Sequence, residues 1–318
     1  MDLLIIGLSS IVTRRVLPAL RSLPDVQRID VATRKAADPV LREGWPFGTA
    51  YVDYEEALKR TSAQMAYISV VNSEHERWAR AALDRRLHVV VDKPAFLGYE
   101  SAARIVEFAA ARDMCLAEAT VFTYHPLMGT AMRLFGEAGD APRRVSMALS
   151  FPPMDSTNFR YQSGLGGGAL WDVGPYLVAT SRHAFNAEPE SVDCRVLARG
   201  DGNIDIAFSA LGTFSEGRSL VGQFGFDTAY VNRLQMVGRS LVVEADRAFT
   251  TPPDYRSSIR TTRPDMSRTV EVPPADAFAR FFENVIGRAE VHDWNQLTSD
   301  LLSDARVLER YRAVAGAS

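Results

Sequence analysis

The sequence contains little lysine and little cysteine. Of the 36 basic residues in this 318-residue chain, only Lys35, Lys59 and Lys93 are lysines. The position of each is therefore of interest, except that Lys59, on a predicted exposed helix, is taken as a surface residue. The two cysteines, Cys115 and Cys194, lie far apart and lack the spacing of metal ligands. Such a pair gives no disulfide framework in a reducing compartment, and we predict no metal site.

Long apolar runs are also absent. No segment approaches the roughly 20 apolar residues that cross a bilayer, and an acid, Asp2, stands where a signal peptide would carry bases. The net charge of -3 provides no basic surface for polyanions. We therefore expect a soluble, cytoplasmic protein that acts on a small molecule, without nucleic-acid or membrane partners.

The first 120 residues alternate short apolar runs with amphipathic stretches. Buried strands separated by helices predict a doubly wound parallel sheet, so residues 1–120 are predicted to form a dinucleotide-binding Rossmann domain of the α/β class. The predicted strands are Leu3–Gly7, Arg28–Ala32, a segment near Tyr51, Met65–Val71, Leu87–Val91 and Met114–Ala117. The predicted helices are Ile11–Leu20, Tyr54–Arg60, Glu74–Arg86 and Tyr99–Arg112.

From residue 121 onward, strand-like runs follow one another without helices between them. This pattern predicts an antiparallel sheet, so residues 121–318 are predicted to form an α+β domain with a mostly antiparallel, open-faced sheet. The predicted strands are Arg144–Phe151, Ser191–Ala198, Ile204–Phe214, Ser219–Phe226 and Arg233–Val237. Helices are predicted after Gly168, at Ala275–Ile286 and at Asn295–Ala315, and the last ones are expected to pack back on the first domain.

A glycine turn follows the first predicted strand, in the segment Gly7-Leu8-Ser9-Ser10-Ile11-Val12. A dinucleotide pyrophosphate meets a helix N-terminus at this place in a Rossmann domain. Only the first glycine of G-x-G-x-x-G is present, so dinucleotide binding and a plain strand–turn–helix are equally supported by the motif. In the first reading Gly7, Ser9, Ser10 and Ile11 bind the cofactor, and the Ser9 hydroxyl donates to a phosphate oxygen.

The end of the second strand is more informative about the cofactor. It carries Thr33-Arg34-Lys35, where an enzyme that uses NAD normally has a carboxylate for the ribose 2′-hydroxyl. A small hydroxyl residue followed by cations suits a 2′-phosphate, so NADP(H) is favoured over NAD(H). The alternative is a solvated basic start to a helix.

Several short motifs in order resemble the Gfo/Idh/MocA oxidoreductase family. They are Asn72-Ser73-Glu74-His75, Val91-Asp92-Lys93-Pro94, Glu118-Ala119, Tyr124-His125-Pro126 and the run from Gly166 to Tyr176. The family signature is Glu-Lys-Pro, and Asp92 replaces its glutamate. The likeness covers nearly the whole chain and is greatest to ketoreductases of nucleotide-linked keto-deoxysugars, which the segments Gly225-Phe226-Asp227 and Arg247–Thr250 also resemble.

The resemblance implies a catalytic group of Lys93, Tyr176 and Asp172. Ketone reduction needs a proton donor and a cation for the developing alkoxide, and Tyr176 and Lys93 would supply them. Asp172 and Tyr176 are spaced i, i+4 near a helix start, so they are predicted to share one helix face. Asp172 would then hold Lys93 or accept a sugar hydroxyl. The alternatives are a flexible glycine turn and a core aromatic at Tyr176.

The remaining candidates have structural alternatives of similar weight. Asn72 and His75 are predicted to line the cofactor ribose beside Pro94, although a helix N-cap followed by a surface histidine explains the pair almost as well. Four residues are predicted at the substrate: Glu118, His125, Arg160 and Trp171. In the alternative interpretation, Glu118 accepts hydrogen bonds from backbone N–H groups. His125 is then a structural residue at the domain junction, and Arg160 is a solvated arginine in a loop. The preferred task of Arg160 is to meet a substrate diphosphate.

These residues lead to three functional hypotheses. The first is an NADP(H)-dependent reductase of a keto group of a sugar, with a nucleotide-linked keto-deoxyhexose as the favoured substrate. The second is a dehydrogenase of a free sugar or dihydrodiol, and the third is a non-catalytic regulator that binds a dinucleotide or a sugar. The family resemblance also implies a homo-oligomer joined through the antiparallel sheet.

Overall fold

The computed structural model of the protein describes residues 1–34 and 45–316, which fold into two compact units. The first unit contains Met1–Ala119 and Phe278–Ala305. The second contains Thr120–Ala277 and Arg306–Ser318. The chain therefore passes into the second unit near residue 120 and returns to the first for part of its C-terminal helical region.

The first unit is built on a parallel sheet whose strands run in the order β3-β2-β1-β4-β5-β6. Its strands are β1 (Asp2–Ile6), β2 (Arg28–Ala32), β3 (Ala50–Tyr51), β4 (Met65–Ile68), β5 (His88–Val91) and β6 (Leu116–Glu118). The β1 residues Leu3 to Ile6 are fully buried because helices cover both faces of the sheet. The strand order reverses at β1, which lies between β2 and β4, and this confirms the predicted doubly wound sheet.

Helices connect these strands. They are α1 (Leu17–Arg21), α2 (Tyr54–Arg60), α3 (His75–Asp84) and α4 (Tyr99–Ala110), with α8 (Ala277–Glu290) nearly all in this unit. A π-helical turn, Val12–Val16, precedes α1. Asp53 caps α2 by accepting a hydrogen bond from the Glu56 N–H at 2.8 Å. On α3, Trp78 and Leu83 point into the core formed by β4, β5 and α4.

The second unit contains an eight-stranded sheet in the order β14-β13-β12-β11-β7-β10-β9-β8. Its strands are β7 (Arg144–Ser150), β8 (Ser191–Arg199), β9 (Asp205–Phe214), β10 (Arg218–Gly225), β11 (Val231–Val237), β12 (Val242–Asp246), β13 (Ser257–Arg263) and β14 (Met266–Val272). Only β7 and β10 pair in parallel among these strands. The predicted mostly antiparallel sheet is thereby confirmed.

Helices lie against one face of this second sheet. They are α5 (Pro126–Glu137), α6 (Ala169–Asp172), α7 (Gly174–Phe185) and the C-terminal half of α9 (Asn295–Ala315). Helix α7 contacts β7 and β10, and α5 contacts β13 and β14. On β7 the buried residues Val145, Met147 and Leu149 alternate with more exposed ones, as expected for a sheet covered on one face.

Four elements of the second unit were not predicted: α5, β12, β13 and β14. On β13 the buried positions are Ser257, Ile259 and Thr261, so two of the three inward side chains are polar. Strand β14 is exposed along nearly its whole length. Neither strand shows alternating hydrophobic and polar residues in the sequence. Such alternation arises where one face of a strand is buried in an apolar core, and strand pairing alone does not produce it.

Candidate cofactor-binding and catalytic residues

The glycine turn after β1 requires glycine at its first position. Gly7 has φ 94°, and a Cβ on it would lie 2.3 Å from the Ser69 carbonyl oxygen. Its N–H donates to the Ala32 carbonyl oxygen at 3.0 Å. The turn is thus a bare stretch of backbone at the carboxyl end of β1, where strand order reverses and α/β sheets bind nucleotides.

Ser9 is held by a chain of hydroxyl groups. Ser69 Oγ donates to Asp92 Oδ2 at 3.0 Å, and the Ser9 and Ser69 hydroxyls are 2.8 Å apart. Because Ser69 has only one hydroxyl proton, Ser9 must donate to Ser69, while its own oxygen accepts the Val12 N–H at 3.3 Å. The predicted donation from Ser9 to a phosphate oxygen does not fit this arrangement, because the proton is already engaged.

Ser10 and Ile11 complete the turn. Ser10 is exposed, and its Oγ accepts from Arg14 Nη2 at 3.4 Å. Ile11 is half-buried, and its backbone is already helical at φ -73° and ψ -37°. Both residues lie at the start of the first helical segment, as the fingerprint position predicts.

The end of β2 presents Arg34. Thr33 is buried and donates its N–H to the Tyr51 carbonyl oxygen at 3.0 Å. Arg34 is exposed, with its guanidinium carbon 4.5 Å from the centre of the Tyr54 ring. Lys35, the second predicted cation, lies outside the described residues.

Asn72 and His75 lie in a turn that leads into α3. Val71, not Asn72, occupies the N-cap of this turn, and the His75 side chain is fully buried. The alternative of an N-cap followed by a surface histidine is therefore wrong. His75 Nδ1 lies 2.9 Å from the Pro94 carbonyl oxygen, and Nε2 lies 3.2 Å from that of Val70.

This environment changes the task assigned to His75. Burial lowers its pKa, against the opposing charge of Asp92 and the neighbouring carbonyl oxygens. A neutral ring donates through one nitrogen, and the shorter contact is the one to Pro94. Direct contact with a cofactor ribose does not fit a side chain without exposed surface. The ring instead holds the backbone next to Lys93.

Lys93 follows β5 in a segment fixed from several sides. Lys93 is half-buried, and the Lys93–Pro94 peptide bond is cis. Glu118 Oε2 accepts a hydrogen bond from the Ala95 N–H at 2.9 Å. Glu118 therefore makes the backbone contact that the alternative interpretation predicted. Tyr67 is fully buried beside Asp92, and burial, then the Asp92 charge, raise the pKa of Tyr67 well above its ordinary value.

In the second unit, Tyr176 lies in an aromatic wall. Its ring centre is 5.3 Å from that of Phe122 and 5.8 Å from that of Phe249, and its side chain is half-buried. Asp172 ends α6, and Val173, with φ -115° and ψ -9°, separates it from α7. The predicted single helix face for Asp172 and Tyr176 is therefore wrong, since they lie on two consecutive helices that Val173 separates.

Asp172 forms an ion pair with Arg160. Arg160 Nε lies 2.7 Å from Asp172 Oδ2, with 28% of the arginine side chain and 9% of the aspartate side chain exposed. The reading of Arg160 as a solvated loop arginine is wrong, because its guanidinium lies against a nearly buried carboxylate. Arg160 therefore compensates charge on Asp172 within this unit.

Two charged residues that the sequence did not single out, Asp205 and Arg312, lie beside the predicted residues of α6. Asp205 Oδ2 accepts the Leu170 N–H at 2.6 Å, and a Cβ on Gly168 would lie 2.6 Å from Asp205 Oδ1. Burial raises the pKa of Asp205 and lowers that of Arg312, while their mutual attraction opposes both shifts. The Arg312 guanidinium carbon lies 3.9 Å above the Trp171 ring. A carboxylate at the start of an otherwise apolar strand was the available signal for Asp205.

His125 is a buried capping residue. Its Nδ1 accepts the Leu127 N–H at 3.2 Å at the start of α5, which is the junction task considered from the sequence. Trp171 is likewise buried, beneath Arg312. Among residues 1–34 and 45–316, no cluster of three or more His, Cys, Asp or Glu could hold a metal ion, and no helix is long and apolar enough to cross a membrane.

The doubly wound sheet with a bare glycine turn and the open-faced second sheet define a dinucleotide-binding oxidoreductase. Residues 1–120 match the family model for the Gfo/Idh/MocA oxidoreductases with an NAD-binding Rossmann fold, and residues 131–247 match the C-terminal domain of the same family. The protein belongs to the Gfo/Idh/MocA family and is an oxidoreductase. The predicted family resemblance is confirmed.

Sugar reductases are among the similar proteins. The chain is 29% identical to dTDP-3,4-didehydro-2,6-dideoxy-alpha-D-glucose 3-reductase of Streptomyces antibioticus, over 98% of this chain and 96% of that protein. It is 26% identical to D-xylose 1-dehydrogenase (NADP(+)) 2 of Haloferax volcanii, over 88% and 86% of the two chains. Its structure is similar to KijD10, a 3-ketoreductase from Actinomadura kijaniata in complex with NADP and TDP-benzene. That similarity has a TM-score of 0.93 and 26% identity, and it covers 99% and 98% of the two chains.

Proposed function

We propose that the protein is an NADP(H)-dependent reductase of a keto group on a nucleotide-linked deoxysugar. The observation that carries the proposal is the likeness to sugar 3-reductases along 98% of the chain. In this proposal the first unit binds the cofactor and the second binds the sugar nucleotide. The boundary between these tasks lies near residue 120, where the chain passes from one compact unit to the other.

The residues of the first unit fit a dinucleotide that carries a 2′-phosphate. Gly7 leaves the backbone bare for a pyrophosphate, and the end of β2 offers a hydroxyl and a cation instead of a carboxylate. NADP is the cofactor in the similar 3-ketoreductase structure and in the name of the xylose dehydrogenase. The residues that would hold the cofactor are Gly7, Ser10, Ile11, Thr33, Arg34 and Asn72, with Lys35 as a further prediction.

The proposed chemistry divides between two residues. The bound cofactor supplies the hydride that reduces the ketone carbon. Tyr176 donates its hydroxyl proton to the ketone oxygen, and the ammonium of Lys93 stabilises the negative charge that develops on that oxygen. Phe122 and Phe249 pack against the Tyr176 ring and against each other, which reduces the number of positions the hydroxyl can take.

Arg160 and Asp172 are proposed to act together on the substrate. Asp172 fixes the guanidinium through Nε, and we retain Arg160 as the predicted contact for a diphosphate. The TDP-benzene bound to the similar 3-ketoreductase is a ligand that contains such a diphosphate. Trp171, Glu118 and His125 support the fold in the observed contacts, so their assignment to the substrate rests on the resemblance alone.

Substitution of the two catalytic candidates tests the proposal. Lys93→Ala and Tyr176→Phe are each expected to lower turnover of a dTDP-linked keto-deoxyhexose by about 100-fold or more, because general acid catalysis and charge stabilisation each contribute on that order. NADPH affinity, measured by fluorescence titration, is expected to change by less than about threefold, because binding energy comes largely from the phosphates and the ribose.

Matched controls exist for both substitutions. Lys59→Ala removes an exposed lysine of α2, and Tyr255→Phe removes an exposed hydroxyl, so both variants are expected to retain full turnover. Unchanged turnover in Lys93→Ala or in Tyr176→Phe would contradict the assigned chemistry.

A dehydrogenase of a free sugar or dihydrodiol is the second candidate. The similarity to the xylose dehydrogenase favours it, as does 24% identity to trans-1,2-dihydrobenzene-1,2-diol dehydrogenase of Xenopus laevis over 80% of this chain. The two candidates differ in substrate. Reduction of NADP+ by free xylose or by a dihydrodiol, without turnover of any nucleotide-linked keto sugar, would select the second. The third hypothesis, a non-catalytic regulator, is not retained because the chain belongs to an oxidoreductase family.

A further inference from the structure

Arg34 lies on a surface made of two aromatic rings. Its guanidinium carbon is 4.5 Å from the centre of the Tyr54 ring and 5.0 Å from that of Trp78. The two rings pack edge to face, with centres 5.1 Å apart and planes at 88°. Both distances from Arg34 are within the range of cation–π attraction, and Trp is the ring that attracts cations most strongly. We call Arg34, Tyr54 and Trp78 the arginine clasp.

Each ring of the clasp is itself fixed. Tyr54 is the first residue of α2 and is nearly buried, and Trp78 on α3 has 1% of its surface exposed. The Trp78 indole N–H donates to Glu74 Oε2 at 3.2 Å. Burial raises the pKa of Tyr54, while the charge of Arg34 and a hydrogen bond from the Arg34 backbone N–H oppose that rise. Tyr54 therefore holds the Arg34 guanidinium by its ring.

The carboxylates around the clasp have another cation. Arg77 Nη2 lies 3.4 Å from Glu55 Oε1, and Arg77 Nη1 lies 3.7 Å from Glu74 Oε2. The Arg77 guanidinium carbon also lies 4.6 Å from the centre of the Trp78 ring. Arg77 therefore compensates part of the charge of these two carboxylates. The negative charge of Glu74 therefore repels a phosphate at Arg34 less strongly than it would without Arg77.

A fixed arginine binds phosphate better than a mobile one. An exposed arginine loses much side-chain freedom when it binds a ligand, and this loss weakens the interaction. A guanidinium that already lies over aromatic rings has lost part of that freedom beforehand, and its N–H groups lie along the rim of its plane. Such a group can contact a phosphate through two parallel hydrogen bonds.

We propose that Tyr54 and Trp78 determine the cofactor preference by holding Arg34 in place for the 2′-phosphate of NADP(H). The inference rests on the proposed function, because it assumes that the first unit binds the phosphorylated dinucleotide. It adds two residues that contact no phosphate themselves and act as positioning residues. Their substitution changes recognition of the 2′-phosphate and not recognition of the rest of the nucleotide.

Two cofactor fragments isolate this effect from catalysis. Adenosine 2′,5′-bisphosphate contains the 2′-phosphate and 5′-AMP lacks it, so the ratio of their dissociation constants measures recognition of that group. Calorimetric titration of the full chain is expected to give the bisphosphate a clear advantage. Tyr54→Leu is expected to weaken bisphosphate binding about tenfold and to change 5′-AMP binding by less than about twofold. Tyr54→Phe, which keeps the ring, is expected to leave bisphosphate binding within about twofold of that of the unsubstituted protein.

A matched variant separates positioning from folding. Tyr51 is buried in the same core as Tyr54, so Tyr51→Leu reports the general cost of losing an aromatic ring there. It is expected to leave the ratio of the two fragments unchanged. In an Arg34→Gln background, Tyr54→Leu is expected to have no further effect on the ratio, because the clasp then holds no cation.

The possible outcomes distinguish the inference from the proposed function. Equal binding of both fragments by the unsubstituted protein would contradict the NADP(H) preference itself, and the inference with it. A preserved preference in Tyr54→Leu, or an equal loss for both fragments, would overturn the inference while leaving the proposed function intact. An additive effect of Tyr54→Leu in the Arg34→Gln background would also overturn it.

Discussion

Ser9 shows how one side chain can take over a place normally given to glycine. Its hydroxyl begins the chain from Ser9 to Ser69 to Asp92, which ends beside the residue proposed to stabilise charge, Lys93. The glycine turn and the end of β5 are thus joined through side chains as well as through the sheet. Asp92, which replaces the usual glutamate of the family signature, is the acceptor of this chain.

The hydroxyl chain predicts coupling between Ser9 and Ser69. Each alanine substitution is expected to lower the free energy of unfolding by about 1 kcal/mol, because each removes a partly buried hydrogen bond. The double variant is expected to lose less than the sum, with a coupling of about 0.5–1.5 kcal/mol, since either change breaks the same link. Urea denaturation of the four proteins measures the cycle.

The same variants test the corrected task of Ser9. NADPH affinity in Ser9→Ala is expected to stay within about twofold of the original, because the hydroxyl proton is engaged by Ser69. A large loss of affinity would show that the Ser9 hydroxyl acts on the cofactor instead, and strictly additive stabilities would show that Ser9 and Ser69 are not coupled.

The sequence indicated correctly where the local backbone decides the residue type. Gly7 was identified because the turn after a buried first strand demands it, and the structure leaves no room for a Cβ there. His75 was misjudged because its burial depends on Pro94 and Val70 folding around it. The sequence does not show whether the partner of a polar side chain is a carbonyl oxygen of the protein or solvent.

At the scale of elements, the short helix α6 depends on a single close approach. Gly168 precedes it with φ 112° and ψ 149°, a conformation that side chains with a Cβ rarely adopt. The Asp205 carboxylate fills the space next to its Cα and accepts the Leu170 N–H. The glycine run is therefore not a flexible turn, because its backbone is held against β9.

Gly168→Ala is expected to damage both stability and turnover. The strained backbone and the clash with Asp205 are expected to lower the free energy of unfolding by about 1–3 kcal/mol. Turnover is expected to fall as well, because α6 carries Asp172. Urea denaturation and steady-state kinetics measure the two effects.

Gly164→Ala is the matched control for this substitution. A Cβ at Gly164 meets no atom within 4 Å, so this variant is expected to behave like the unsubstituted protein. Equal stability of the two variants would contradict the close approach at Gly168.

The break at Val173 shows why helix boundaries are hard to predict. Asp172 and Tyr176 have helical spacing, and nothing in their residue types forbids one continuous helix. The chain nevertheless interrupts it, with Asp172 against Arg160 and Tyr176 against Phe122 and Phe249. Tertiary partners on different elements decided this, and local propensity is a weak prior against them.

At the scale of the whole molecule, the uncovered face of the second sheet is the feature still to be explained. Val221 on β10 and Leu211 on β9 lie directly opposite each other, and 43% and 39% of their surfaces are exposed. Leu197 on β8 is 60% exposed. Neighbouring apolar side chains on an open sheet are typical of interfaces, so these residues support the predicted homo-oligomer.

Val221→Asp is expected to weaken self-association. A carboxylate placed beside Leu211 must lose its hydration when a second copy covers the sheet, so the oligomer is expected to dissociate toward monomers. Sedimentation velocity across a concentration series measures the change. Val291→Asp is the control, because Val291 is 71% exposed but belongs to the first unit. A monomeric unsubstituted protein, or equal behaviour of both variants, would contradict this prediction.

The sequence by itself determined the class of fold, the family, the glycine turn and the positions of Lys93 and Tyr176. These features are written in local periodicity and in motifs whose residues are neighbours in the chain. The tertiary structure alone decided the contacts of five residues, Ser9, His75, Asp172, Asp205 and Tyr54. Most of these contacts join residues that are distant in the chain. Ser9 and Ser69 are 60 positions apart, and Leu170 and Asp205 are 35 positions apart. Burial and hydrogen bonding at such positions arise only when separate elements pack together, because the partner of a polar group is set by geometry in space.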